Sequence, residues 1–320
     1  MIRTQRHWLA MTTVVMSCLS VASAQDSSPQ TWLDRMNGAV QSANYEGTVI
    51  RVQNDQVEAL KVVRVVKDGV IHEKLVVQEG NGLEIIRNGN EVRCILPDKQ
   101  SVLVEDWNNQ STLFSSLPSN DIGFGSEYDL SIVREDRVAG RKAVLIAIRP
   151  HDEYRYGHRL WLDIETGFPL QTKMIAEDGK SVEQVKFADI QLNSEIQASA
   201  LEPSFSIDNF RWFTQPKRQI TEAVESSWSC NDLPSGFRAV STHEEELAGR
   251  DATVTHILYS DGLANVSVFV EPVGDNKIAQ RSRVGSSTSY SVRVDGHQVT
   301  AIGEVPSVTV EKIATSMQPN

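Results

Sequence analysis

A chain of 320 residues with 40% hydrophobic and 23% charged side chains has too much apolar material to stay disordered. It also exceeds the length at which a single core stops growing, so two domains are expected. Its formal net charge of −11 excludes nucleic-acid binding through a basic face.

The first 24 residues read as a secretory signal. Arg3, Arg6 and His7 form a basic head, Trp8 to Val21 is apolar, and Ala22-Ser23-Ala24 supplies a small-x-small cleavage site. The apolar run is shorter than the roughly 20 residues of a spanning helix, and no later stretch could span a bilayer. A competing reading is a lipobox at Val15-Met16-Ser17-Cys18 that lipidates Cys18. Cleavage after Ala24 removes Arg3 and Arg6 and no acid, so the balance deepens from −11 to −13.

Past the signal, Thr31 to Asn44 places Trp32, Met36, Ala39, Val40 and Ala43 on one face at helical spacing. Strands are expected at 45–53, 59–66 and 70–77. In LEIIRNGNEVRCILP, Asn88-Gly89 between two apolar runs signals a hairpin, because both residues tolerate positive φ. A strand follows at 101–105. Residues 106–126 mix turn formers with isolated aromatics and read as a short helix plus loop. The segment RKAVLIAIRP leads into RPHDEYRYGHRLWLDIETG, read as a hairpin in which Tyr154, Tyr156, His158, Leu160 and Leu162 alternate against Arg155, Arg159 and Trp161. Strands at 169–175 and 181–190 complete the first unit. Residues 206–226 lack periodicity and carry Phe210, Trp212 and Phe213, which marks an aromatic linker. Short alternating strands are then expected at 237–242, 253–260, 264–271, 287–294 and 298–303. A closing helix after Pro306 puts Val310, Ile313, Ala314 and Met317 on one face.

No chemistry-bearing motif rises from this pattern. His151 and His158 cannot converge on a metal if their segment is a strand, and neither HExxH nor a Cys/His cluster occurs, so neither metal nor cofactor is expected. Asp163 and Glu165 sit at a hairpin turn, where carboxylates mainly accept backbone hydrogen bonds. GxSxG, GxGxxG, P-loop and CxxC spacings are all missing, which argues against an enzyme. Cys94 and Cys230 form an even pair: they could be bridged in an oxidising compartment, or be two small buried side chains. The concentration of Arg149, Arg155, Tyr156, Arg159 and Trp161 fits either internal ion pairs or recognition of an acidic partner. Ser260-Asp261-Gly262 reads first as a turn.

Several motifs in order carry a resemblance: Tyr45-Glu46-Gly47-Thr48, IIRNGNEVRCILP, Arg137-Val138-Ala139-Gly140-Arg141, RYGHRLWLDIETGFPL, SDGLANVSVFVEP and DGHQVTAIGEVP. Together, from about Trp32 to Met317, they resemble the MucB/RseB family of periplasmic regulators of an envelope-stress sigma factor. The strand after Tyr45-Glu46-Gly47-Thr48 departs from the family in opening Val49-Ile50-Arg51. The resemblance implies an α+β fold: a large N-terminal half-open β-barrel with helices over 25–205, similar to the carriers LolA and LolB, and a small C-terminal α/β domain over 227–320. It implies a periplasmic protein that binds the periplasmic region of a membrane-spanning anti-sigma factor and shields it from site-1 proteolysis, with lipopolysaccharide or acyl chains as the releasing signal. A homo-oligomer is compatible with that reading. A lipid or lipoprotein carrier using the same concavity is the alternative. Candidate contact positions are the linker aromatics Phe210, Trp212 and Phe213, the arginine-aromatic hairpin, and the second domain around Asp261 and His297.

Overall fold

The computed structural model describes residues 28–106, 113–114, 117, 126–214, 221–222, 226–246, 253–272 and 279–320. The signal segment with Cys18, and most of the helix-plus-loop expected at 106–126, lie outside the described residues.

The chain opens with α1 (Pro29–Ser42), started by the Ser28 hydroxyl, which accepts from Thr31 N, and by proline at the first turn. Its expected apolar face is the buried one: Trp32, Leu33 and Met36 are enclosed, and Ala39, Val40 and Ala43 pack on the core. Near its C-terminus, the Val40 carbonyl accepts from Arg64 Nη2 at 2.6 Å. That cation satisfies one of the carbonyls a helix end leaves open.

Twelve strands follow: β1 (Tyr45–Gln53), β2 (Gln56–Lys67), β3 (Val70–Val77), β4 (Glu84–Asn88), β5 (Glu91–Leu96), β6 (Ser101–Asp106), β7 (Tyr128–Val138), β8 (Arg141–Pro150), β9 (Gly157–Asp163), β10 (Pro169–Ile175), β11 (Ser181–Leu192) and β12 (Arg211–Thr214). They form one sheet in the order β12-β6-β5-β4-β3-β2-β1-β11-β10-β9-β8-β7. Its ends, β12 and β7, are not paired to each other, so it is not a closed barrel. It does curve enough to bring Val62 and Leu75 of one half into the same apolar cluster as Val138 and Leu145 of the other.

Several local expectations need revision. The β4–β5 loop is Gly89-Asn90 rather than Asn88-Gly89, since Asn88 pairs with Glu91. Only Gly89 has positive φ, +62°, as expected for a loop with glycine at its first central position. The strand expected to run through Tyr154 and Tyr156 is broken: β8 ends at Pro150, Asp152 Oδ1 accepts from Tyr154 N at 3.0 Å, and β9 begins at Gly157. Strand β7 was not expected: YDLSIVREDRV alternates only from Tyr128 to Ile132 and then runs into the charged stretch Arg134 to Arg137. It is an edge strand whose charges guard an unpaired rim. Within the segment expected to be a linker, Arg211–Thr214 forms β12 and pairs in parallel with β6.

Gly47 in β1 faces Ile190 of β11, and a Cβ there would lie 2.4 Å from the Asp189 carbonyl oxygen. Backbone cannot yield as a flexible side chain can. Gly47→Ala is expected to cost about 1–3 kcal/mol, read as a lowered midpoint in urea unfolding; an unchanged midpoint would show that the β1–β11 bulge absorbs the methyl.

The second half contains β13 (Thr221–Glu222), β14 (Trp228–Cys230), β15 (Arg238–Glu246), β16 (Thr253–Ser260), β17 (Asn265–Pro272), β18 (Gln280–Val284), β19 (Ser287–Val294), β20 (His297–Gly303), α2 (Ser307–Thr315) and β21 (Met317–Pro319). Seven strands build a sheet in the order β13-β15-β16-β17-β20-β19-β18, and β14 pairs with β21. Every pairing here is antiparallel. The α/β label therefore fails in favour of α+β, because the sheet is antiparallel and α2 follows β20 instead of crossing between parallel strands. Val310, Ile313 and Ala314 of α2 cover this sheet, while Met317 joins the same core from β21.

Of the two readings open for Cys94 and Cys230, the bridge is absent, and both thiols are free. Cys94 lies in β5 between Ile85 and Leu103 of its own sheet, whereas the Cys230 thiol donates to Ile313 O at 3.7 Å in the other half. Burial pushes both thiols above their usual range, as expected of small enclosed side chains.

Candidate functional site

Charge from the first sheet and the turn after β16 converge at a seam between the two halves. Arg155, in the bend between β8 and β9, has a fully enclosed side chain. Its Nη1 stands 2.9 Å from Asp261 Oδ2 and its Nε 3.1 Å from Asp152 Oδ1, both off the line of a straight hydrogen bond, so these are ion pairs. Its Nη2 donates to the Ser235 carbonyl at 2.6 Å, and the guanidinium lies over the rings of Tyr128 and Phe237. Asp261 is equally enclosed. Its Oδ1 accepts from Leu263 N and Ala264 N, and its Oδ2 accepts from the Tyr128 hydroxyl at 2.7 Å. Burial, and then the Asp261 charge, hold that phenol far above its ordinary range, so it stays a donor.

The same turn carries Leu263, which packs among Trp32, Met36, Ile146 and Leu160 of the first half. A second set of contacts crosses the seam where the Ser286 hydroxyl lies 2.9 Å from both Glu183 Oε2 and Glu304 Oε1. Beside it the chain passes so close at Gly285 that a Cβ would strike the Gln53 amide at 2.2 Å. Thr309 Oγ1 adds a bond to the Tyr154 carbonyl at 2.6 Å.

Behind the seam, the first sheet encloses Tyr45, Phe114, Phe168 and Phe187 with ring centroids 4.9–6.3 Å apart. A hollow of about 170 Å³ remains, walled by Leu113, Phe114, Met174 and Val185, with Arg51, Lys173, Glu183 and Glu304 also on its lining.

These contacts separate the candidate positions. Arg155 and Asp261 meet and bury each other, so neither offers surface to a partner, and their place among the partner contacts does not hold in this conformation. Tyr156 and Trp161 are buried as well. The indole N–H of Trp161 donates to Asp136 Oδ2 at 3.0 Å. Arg149 and Arg159 are exposed beside a depression of about 250 Å³. Asp163 Oδ1 accepts from the backbone of Glu165 and Thr166, and Arg141 pairs with its carboxylate, so this turn is structural. Trp212 and Phe213 stand 48% and 51% exposed on the edge strand β12. Phe210 packs on Phe205, and Arg93 lies over Trp212. His297 packs edge-on against Trp228, away from both groups. Sequence reasoning missed Tyr128, Ser235, Leu263, Glu183 and Ser286. Of these, only Leu263 was signalled, by the turn residues that precede it.

The family model described as the MucB/RseB N-terminal domain matches residues 28–205, and that described as the MucB/RseB C-terminal domain matches 222–318. Among similar proteins, "Sigma factor AlgU regulatory protein MucB" of Pseudomonas aeruginosa is 29% identical, with 95% of each chain covered. "Sigma-E factor regulatory protein RseB" of Salmonella typhimurium is 30% identical over 97% of each, and its counterpart in Escherichia coli K12 is 29% identical over the same share. Of solved structures, the Pseudomonas aeruginosa MucA/MucB complex superposes with a TM-score of 0.69 at 28% identity, covering 91% of this chain and 99% of that one. MucB solved by itself gives 0.60 at 28% identity, covering 91% and 98%. Both halves, their order and nearly their whole length agree: the chain belongs to the MucB/RseB family.

Proposed function

We propose that this protein is a periplasmic negative regulator of an envelope-stress sigma factor. It binds the periplasmic domain of the membrane-spanning anti-sigma factor, shields it from site-1 proteolysis, and lets go when lipid or lipopolysaccharide is sensed. The observation that carries this reading is the likeness, over 91% of the chain, to MucB solved together with MucA. It acts by binding, not catalysis: the relatives are named as regulatory proteins, and the charged clusters at the seam are spent on internal pairs. The carrier alternative fits this conformation poorly. The wider depression of about 570 Å³ at Arg51, Gln53, Glu58 and Glu79 is lined largely by polar and charged side chains. The hollow of about 170 Å³ beside the aromatic cluster lies below the roughly 300 Å³ at which ligand pockets begin, so an acyl chain entering there would have to displace Leu113 and Phe114. Lipid-driven release then follows if the displaced form binds the partner less well.

The surface we favour for the partner is β12. Among the described residues its outer edge is unpaired, and its two aromatics are exposed, as strand addition from an extended peptide requires. Trp212→Ala is expected to weaken anti-sigma binding about 30-fold and leave thermal unfolding unchanged; equal affinity would remove β12 from the interface. The function itself is tested by titrating the mature chain with the periplasmic domain of its host's anti-sigma factor, with and without lipopolysaccharide. Saturable binding that lipid weakens is expected. No binding, with lipid still retained, would favour the carrier.

A further inference from the structure

His158, in β9, is a buried imidazole that the contacts described so far leave without a task. Across the sheet it faces Ile148 of β8 and Met174 of β10. It lines three hollows: the concave one of about 170 Å³, the outer depression of about 250 Å³, and one of about 60 Å³ within the seam. Tyr156 and Met174 from the first half and Leu263, Ala264, Asn265 and Glu304 from the second close that last hollow. It lies against the turn that Asp261 organises and that inserts Leu263 into the first domain.

We propose that His158 is a proton-operated wedge of the domain seam: the neutral ring lets the 262–265 turn seat, and protonation drives the two halves apart. Around it, Glu304 comes from the second domain, Arg51 and Glu183 from β1 and β11, and Lys173 from β10. Asp152 and Arg155 come from the preceding bend, and Arg149, Arg159 and Glu177 ring the outer depression. Arg283 and Tyr156 complete the set. Both signs are present, and no one carboxylate is dedicated to the imidazole. Desolvation therefore decides, and it holds the His158 pKa down at about 4, against 6.5 in water.

A group whose closed-state pKa is depressed below its open-state value favours closure fully above about 6.5, and that contribution fades as pH falls toward 4. Between pH 7 and pH 5 the open-to-closed ratio rises by about 20-fold from this one group. The device does not depend on the anti-sigma reading. Under that reading, acid would reach the partner complex through the seam rather than through the partner's own surface.

The test is amide hydrogen exchange on the full mature chain, corrected for intrinsic rates, following peptides over 157–162 and 262–268 between pH 7 and pH 5. Protection is expected to fall by about 20-fold in the wild type and to stay level in His158→Gln. An equal fall in both chains, or none in the wild type, overturns the proposal. So does a fall that persists in His158→Gln and vanishes in Glu304→Gln, which would assign the response to the carboxyl. If His158→Gln does not fold, the ring resonance of His158 in the wild type decides: a midpoint near 4 supports the wedge, and one near 6.5 refutes it. No anti-sigma factor enters the assay, so its outcome is separable from the regulator reading.

Discussion

Arg155→Met should lower stability by about 3–5 kcal/mol, the usual consequence of removing one partner from an enclosed ion pair. In a chain of this size that is a fall of roughly 10 °C in Tm. Methionine keeps much of the volume but leaves Asp261 charged and enclosed, and strips the Ser235 carbonyl of its donor. The Tyr128 and Phe237 rings also lose the cation they flank. Asp261→Asn should cost less, since the amide oxygen can still accept from Leu263 N and Ala264 N. The double variant should cost clearly less than the two losses added, because each removes the other's stranded charge. Lysine at 155 should recover only part of the loss, as an ammonium cannot span Asp261, Asp152 and Ser235 with one planar fork. A loss below about 1 kcal/mol for Arg155→Met would mean that the seam is held by Leu263 packing and not by charge.

Phe168→Ala is expected to remove about 3–5 kcal/mol, in the range for buried aromatic truncation. Phe168 is 1% exposed and touches Tyr45, Phe114 and Phe187 at centroid distances of 4.9, 5.7 and 5.8 Å. These tilted and edge-on contacts add to the area it buries. Phe114 also walls the 170 Å³ hollow, so the deleted ring would enlarge the space a lipid tail competes for. Urea unfolding measures the loss. Near-wild-type stability would show that the residues around Phe114 collapse into the gap.

What the sequence revealed follows from what periodicity can carry. The α1 face, β1 and the β16–β17 hairpin were legible because apolar residues recur there at the spacing of the buried face. Strands β2 and β3 were legible from their valine-rich composition, since their burial comes as a central run and does not alternate. Strand β18 was not, since an edge strand facing solvent has no apolar stripe to read, and β7 alternates over its first five residues only before its charged run. The turn at Ser260-Asp261-Gly262 was visible, but its task was not. Tyr128, Arg155, Ser235 and Asp261 are far apart in the chain, and nothing local in any of them names the others. Exposure divided the candidates in the same way: Trp212 and Arg155 look alike in a list of aromatics and arginines, yet one is half in water and the other is sealed.

The order of the large sheet also sets how the chain can assemble. β1 lies at its centre and pairs on one side with β2, a hairpin neighbour, and on the other with β11, where Tyr45 meets Leu192. The other edge likewise waits for Arg211 to find Ser101. A chain emerging from its N-terminus can zip β1 through β6 as successive hairpins, but one flank of β1 stays unpaired until residue 192 has appeared. Such long-range closures slow folding, because loop entropy is lost before contacts return it. The exposed flank of a half-made sheet is also the surface on which chains join one another. Folding of this protein should therefore be slow and concentration-sensitive in its first half.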